Sequence, residues 1–146
     1  TNQYIRLVSL IYARPRSEYE LRTKLRLKRL PKEDIDQLIM RLQKEGYQDD
    51  IKFATWWVTS RKSSRPISSL KLRSELAGKG IKSSISDQVI TENFNHEDEY
   101  QALIKLISKK RDRYENEEKL LKFLASRGYS YSLIKSALKQ LNDDNF

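Results

Sequence analysis

Apolar residues recur along this chain in one pattern, three times over. In the stretch "ELRTKLRLKRLPKEDIDQLIMRL", residues 20–42, they are Leu21, Leu25, Leu30, Ile35, Leu38, Ile39 and Leu42. A shift of 51 residues lands on Leu72, Leu76, Ile81, Ser86, Val89, Ile90 and Asn93. A further shift of 48 lands on Leu120, Leu124, Tyr129, Ile134, Ala137, Leu138 and Leu141. Only Ser86 and Asn93 break the apolar rule among these 21 positions, and no gaps are needed. Ahead of each block stands a trio at i, i+3, i+4: Leu7, Leu10 and Ile11, then Ala54, Trp57 and Val58, then Leu103, Leu106 and Ile107. That spacing places three side chains on one face of a helix. Each block therefore predicts three short amphipathic helices. The chain as a whole reads as all-α, an elongated array of three tandem three-helix repeats at 1–48, 49–95 and 96–146.

Helix boundaries are written beside the stripes. Ser17 and Glu20 have the spacing of a capping box. Pro31 suits the first turn of a third helix, with Glu33 and Asp34 at its positive end. Gly46, Gly80 and Gly128 sit where helices should stop, because glycine enters the left-handed conformation after a helix at little cost. Asn116 and either Ser130 or Ser132 are suitable N-caps. "SRKSSRPISS", residues 60–69, and "RDRYEN", residues 111–116, read as the loops. The stretch "EGYQDDIKFATWW", residues 45–57, reads as a joint. Gly46 ends one helix, Tyr47 folds back as an apolar contact, and Asp49 or Asp50 caps the next. Phe53, Ala54, Trp57 and Val58 form the buried side of that helix. Trp56, turned about 100° away from Trp57, is left for a partner or for the next repeat.

Composition then limits function. Lys and Arg number 29 against 20 Asp and Glu, a net charge of +9, which favours polyanionic partners. There is no cysteine, hence no disulfide framework or thiolate metal site. No apolar run reaches the roughly 18 residues of a membrane span, and an intracellular, cytoplasmic protein is expected. The start, Thr1-Asn2-Gln3, is not signal-like and lacks an initiator Met, which leaves room for a longer parent chain. No glycine-rich phosphate loop or dinucleotide fingerprint occurs, so neither an enzyme nor a cofactor is expected. His96, the one histidine, stands beside Glu97, Asp98 and Glu99; these read as first-turn charges of a helix rather than as a metal site.

The positive charge is uneven. Residues 14–32 hold eight Lys or Arg against two Glu, and residues 61–82 hold seven against one. From residue 96 on the balance is ten against nine. Arg22, Arg26 and Arg29, at i, i+4 and i+7, are expected on one helix face. With Arg61, Lys62, Arg65, Arg73 and Lys79 they are the candidate contacts to an anionic partner, since guanidinium forks match phosphate and carboxylate geometry. Tyrosine is abundant, but Tyr4, Tyr47, Tyr100 and Tyr129 fall in or near the apolar stripes and are assigned to packing.

Three stretches carry a resemblance. "RPRSEYELRTKL", residues 14–25, is similar to Arg-x-x-Ser-x-x-Glu-Leu-x-x-Lys-Leu of the RecX regulatory family. "EGYQDDIKFA", residues 45–54, resembles its Gly-Tyr-Leu-Asp-Asp-x-x-Phe-Ala. "SRKSSRPISSLKLRSELAGKGI", residues 60–81, resembles its Ser-Arg loop, Pro, and Leu-Lys-Gly-Ile ending. "LASRGYSYSLIKSAL" resembles the family's last repeat. Departures are Lys62-Ser63-Ser64-Arg65, where the family's loop usually has Gly, Gln48 in place of Leu, and Lys71 near a common Arg. The resemblance implies a monomeric negative regulator in recombination, DNA repair and the SOS response. It would bind the RecA recombinase filament on single-stranded DNA, lie in its groove, and suppress ATPase, strand exchange and filament growth. Weak direct DNA binding is expected from charge. The competing reading is a helical nucleic-acid-binding module that needs no RecA; a generic repeat scaffold would show neither activity.

Overall fold

A computed structural model describes residues 2–144. Among the described residues there are nine α-helices and no strand: α1 (Asn2–Ala13), α2 (Glu18–Leu27), α3 (Lys32–Lys44), α4 (Asp50–Ser64), α5 (Ser69–Gly78), α6 (Ser83–Asn93), α7 (His96–Lys110), α8 (Glu117–Ser126) and α9 (Tyr131–Asp144). One 3-10 turn, Arg111–Arg113, follows α7. The all-α, tandem-repeat reading of the sequence holds. By its packing the chain forms two compact units. The first comprises Thr1–Trp57 and Glu75–Val89, the second Val58–Ser74 and Ile90–Phe146.

In the first unit Tyr4, Leu7, Leu21, Leu25, Ile35, Ile39 and Leu42 make one core cluster, with Leu10, Ile11, Leu30 and Leu38 packed against it. The helical period alone brings these residues to the inner faces of α1, α2 and α3. A buried Leu or Ile contributes about 1.5–3 kcal/mol relative to exposure. Ser17 caps α2 as expected: its hydroxyl accepts from the Glu20 N–H at 3.1 Å, and the Glu20 side chain answers the Ser17 N–H. Both aspartates of the joint are used, on different helices. Asp49 Oδ1 accepts from the N–H of Ile51 at 2.8 Å, capping α4. Asp50 Oδ1 reaches back to the Glu18 N–H at 2.9 Å, at the start of α2. Gln48 is buried, and its amide donates to Asp50 and to the Arg16 carbonyl.

Phe53 is fully buried and Trp57 is half-buried, its indole N–H donating to Glu75 at 2.9 Å. Trp56 is no free surface either. It packs on Phe53 and Trp57, with ring centroids 6.0 and 6.1 Å away, and the Arg14 guanidinium lies 5.5 Å above it. Tyr47 departs from expectation. The main chain does turn back after Gly46, but the phenol ring is 37% exposed and lies against Tyr12.

In the second unit Leu103, Leu106, Ile107, Leu120, Leu124, Tyr129, Ile134, Ala137 and Leu138 form the core cluster. Asn95 and Asp98 build a reciprocal capping box at the start of α7, so the acids beside His96 are helix-start groups. Asn116 caps α8 and Ser130 caps α9. The two stretches expected as loops are largely structured. Residues 60–64 continue α4, Ile67 and Ser68 are buried, and Ser68 Oγ accepts from the Lys71 N–H at 3.1 Å while donating to the Arg127 carbonyl at 2.9 Å. In the other stretch Tyr114 stacks on Phe123 at 5.2 Å. Arg and Lys are about as good helix formers as Leu, and Ser is only modestly worse, so a preceding helix carries them easily. Ser86, an exception to the apolar stripe, is nevertheless buried at 3%, at the position of Ile35 and Ile134.

The second helices of the three repeats end identically. After each, one N–H reaches back three residues and the next reaches back five, the bonding of a Schellman turn. The pairs are Arg29 to Arg26 and Leu30 to Leu25, Gly80 to Ala77 and Ile81 to Leu76, Gly128 to Ala125 and Tyr129 to Leu124. The left-handed residue is Gly80 (φ 75°) or Gly128 (φ 95°) in two repeats, but Arg29 (φ 63°) in the first. An L side chain there costs about 1–2 kcal/mol. Replacing it with glycine also loosens the unfolded chain, by roughly 0.4–1 kcal/mol. We therefore expect Arg29→Gly to stabilise the protein by about 0.5 kcal/mol in reversible denaturation; a loss of stability would show that the Arg29 side chain supports the fold.

Candidate polyanion-binding faces

The first unit does not present three free guanidinium groups in a row. Arg22 donates from Nε to Glu18 Oε2 at 2.8 Å and from Nη1 to Asp36 Oδ1 at 2.7 Å. It ties α2 to α3 and has little left for a partner. Arg29 lies past the end of α2, so the i, i+7 relation to Arg22 does not set its direction. Arg26 and Arg29 are exposed; Arg26 donates to the Thr23 hydroxyl at 3.3 Å. Exposed Leu27 and Lys28 stand between them. Lys79 is half-buried, its ammonium 5.3 Å above the Trp57 ring, where the quadrupole attracts it. Of this unit's candidate cations, the two that stand exposed are Arg26 and Arg29, at the end of α2.

In the second unit Lys62, Arg65 and a residue that charge counting passed over come together. A cleft of about 310 Å³ is lined by Lys62 and Arg65, by Gln101 and Lys105 of α7, and by Ile67 and Phe94. Lys62 pairs with Asp98 at 3.2 Å. Arg65 and Lys105 are exposed. Lys105 lies in the stretch whose charges nearly balance, so only folding shows that it belongs with Arg65. Arg61 and Arg73 are half-buried and already hold interactions within the protein. Among the described residues no group of His and carboxylates is arranged to hold a metal.

Where the cations are paired, the acids show it. Burial pushes the Glu20 carboxyl up, but the Arg14 hydrogen bond at 2.7 Å and the Ser17 N–H outweigh it and hold the carboxyl below its usual range. Glu18 is similarly raised by burial and more strongly lowered by Arg22 and Gln43. A carboxyl with a lower pKa in the folded state adds stability above its unfolded value, and that contribution disappears as pH falls through the folded value. Stability should therefore decline below about pH 5. In Glu20→Gln the deficit seen at neutral pH should shrink on acidification, because the parent protein loses the same interaction there. Thermal denaturation across this range is the check; a pH-independent deficit would mean that shape, not charge, matters at Glu20.

Fold and surface define a class: a tandem three-helix-repeat protein with local cationic faces. No described helix is long and apolar enough to cross a membrane. Residues 4–42 match the family description "RecX, first three-helix domain", and residues 97–138 match "RecX, third three-helix domain". The chain is 33% identical to a regulatory protein RecX of Chlorobium phaeobacteroides over 135 residues, which is 92% of this chain and 89% of that one. It is 32% identical to a regulatory protein RecX of Amycolatopsis mediterranei, over 90% of this chain and 80% of the relative. A solved structure of a regulatory protein RecX superposes with a TM-score of 0.85 at 25% identity, over 93% of this chain and 71% of that one. The fold also matches RecX from Lactobacillus salivarius, with a TM-score of 0.86 at 19% identity, 95% of this chain and 94% of that one. The chain belongs to the RecX family of regulatory proteins.

Proposed function

We propose that this protein is a monomeric negative regulator of the RecA recombinase in the cytoplasm, built as three repeats at 1–48, 49–95 and 96–146. It binds the RecA filament on single-stranded DNA, in the groove, and suppresses ATPase, strand exchange and filament growth during recombinational repair. It does so by binding rather than catalysis. Family membership carried by both the first and the third domain is the main support for this reading. The surface adds to it. Arg26, Arg29 and Arg65 are exposed, and a filament on DNA offers phosphates and carboxylates to such groups. Several such contacts on one chain would raise avidity beyond any single one.

The test is the single-stranded-DNA-dependent ATPase of the cognate RecA, with this chain added well below the recombinase concentration. Suppression at that ratio is expected, since each bound molecule would affect many protomers. Unchanged ATPase up to equimolar protein would refute the proposal.

A further inference from the structure

A second cleft, on the first unit, belongs to neither basic face. It measures about 320 Å³ and is lined by Ile11, Tyr12, Pro15, Arg16, Tyr47 and Lys52, with Gly46 and Asp49 beside them. Tyr12 is 80% exposed at the end of α1, and Tyr47 is 37% exposed at the joint before α4. Their ring centroids are 6.5 Å apart with planes at 50°, so each supports the other while an outer ring face stays open. Such a pair costs hydrophobic exposure and supplies no core.

The repeats provide an internal control. Carrying Tyr12 forward by the offsets that relate Leu7, Ala54 and Leu103 reaches Thr59 and Ser108, both exposed. The helix thus accepts a small polar residue at this place, and the fold does not require an aromatic one. Its charge surroundings are specific. Arg16 is anchored by Nε to the Leu10 carbonyl at 3.2 Å, and Lys52 is exposed. The acid at the rim, Asp49, is occupied by the N–H groups of Ile51 and Lys52 at the positive end of α4. An exposed aromatic ring in a cleft that two cations also line is the combination that takes a base on the ring and phosphates on the cations.

We propose that this cleft binds a nucleotide of single-stranded nucleic acid, with a base stacked on Tyr12, Tyr47 bracing the ring, and Arg16 and Lys52 receiving the adjoining phosphates. Only an unpaired strand offers a base face. The site gives the protein a direct grip on single strands that does not depend on any recombinase.

The test uses the full chain without recombinase and follows the anisotropy of two labelled strands. One is an oligodeoxythymidylate; the other is an abasic phosphodiester of equal length. The wild-type chain should bind the base-bearing strand about tenfold more tightly, within the range for one stacked base. Tyr12→Ser should bring that strand to the abasic level and leave the abasic affinity unchanged, while Tyr12→Phe keeps the preference. Equal wild-type binding of the two strands would overturn the proposal. So would a Tyr12→Ser loss shared by both strands, or no loss on either. In the last case, weakened ATPase suppression by the same variant would assign the cleft to a protein partner instead.

Discussion

Gly80→Ala should destabilise this protein by roughly 3 kcal/mol, and Gly46→Ala by only about 1 kcal/mol. The two glycines have almost the same backbone, φ 75° and 82°. The conformational penalty for a Cβ is therefore similar. They differ in what surrounds them. A Cβ on Gly46 meets nothing within 4 Å, whereas one on Gly80 would stand 2.4 Å from Tyr19 Cβ and 2.7 Å from its Cγ. Rotation about χ1 can move Cγ but not Cβ, which is fixed to the α2 backbone. Relief requires the turn after α5 to move from α2, against a packed interior that resists such shifts. At about 3 °C per kcal/mol for a chain of this size, the melting temperature should fall by roughly 10 °C for Gly80→Ala and about 3 °C for Gly46→Ala. Equal shifts would mean that the approach of Tyr19 to the turn is loose, and that glycine is needed at Gly80 for its dihedral angles alone.

That contrast shows what was legible in the sequence. The repeat offsets put Arg29, Gly80 and Gly128 at one structural position, and all three have positive φ. The helices were legible because burial imposes a period on them and caps impose residue types on their ends. The close approach of Tyr19 was not legible, because it depends on where distant elements meet, and no local pattern encodes that. Ser68 illustrates the same limit. Its use as a cap follows from the type of residue, but its bond to the Arg127 carbonyl joins positions 59 residues apart.

The candidate contacts were legible as a composition and not as a surface. A run of cations says how much charge a segment carries. It does not say which cations the fold consumes. Arg22 is spent on Glu18 and on Asp36, 14 residues away, while neighbouring Arg26 is left outward. Lys105 was missed for the opposite reason: its own segment is neutral on balance, and only the packing of α7 brings it beside Arg65. Tyr47 was misplaced because a glycine turn predicts where the main chain goes and not how deep the next ring sinks. An aromatic residue after such a turn belongs to the core only if a concave site is ready for it. Here the Tyr47 ring lies against Tyr12, and the buried residue is the next one, Gln48, which is 3% exposed.

Arg26→Glu, Arg29→Glu and Arg65→Glu combined in one chain should raise the concentration needed for half-suppression of the RecA ATPase at least about 100-fold. Each reversal removes two charges, taking the net charge from +9 to +3. The fold should survive, because all three side chains are exposed and none is an ion-pair partner of Glu18, Glu20 or Asp36 as Arg22 and Arg14 are. A contact between like charges is repulsive as well as unmade, and it acts first on the encounter rate. The effect should thus shrink as salt is added, since screening removes attraction in the parent and repulsion in the variant together. A control separates position from total charge. Lys109→Glu, Arg113→Glu and Lys139→Glu also lower the charge by six, at exposed sites of the nearly balanced last repeat. If the control fails to suppress as badly as the first variant, bulk charge drives binding and the assignment of Arg26, Arg29 and Arg65 is wrong. If the first variant suppresses like the parent, the contacts to the filament lie elsewhere. If only the first variant fails, the end of α2 and the cleft at Arg65 are where the filament is held.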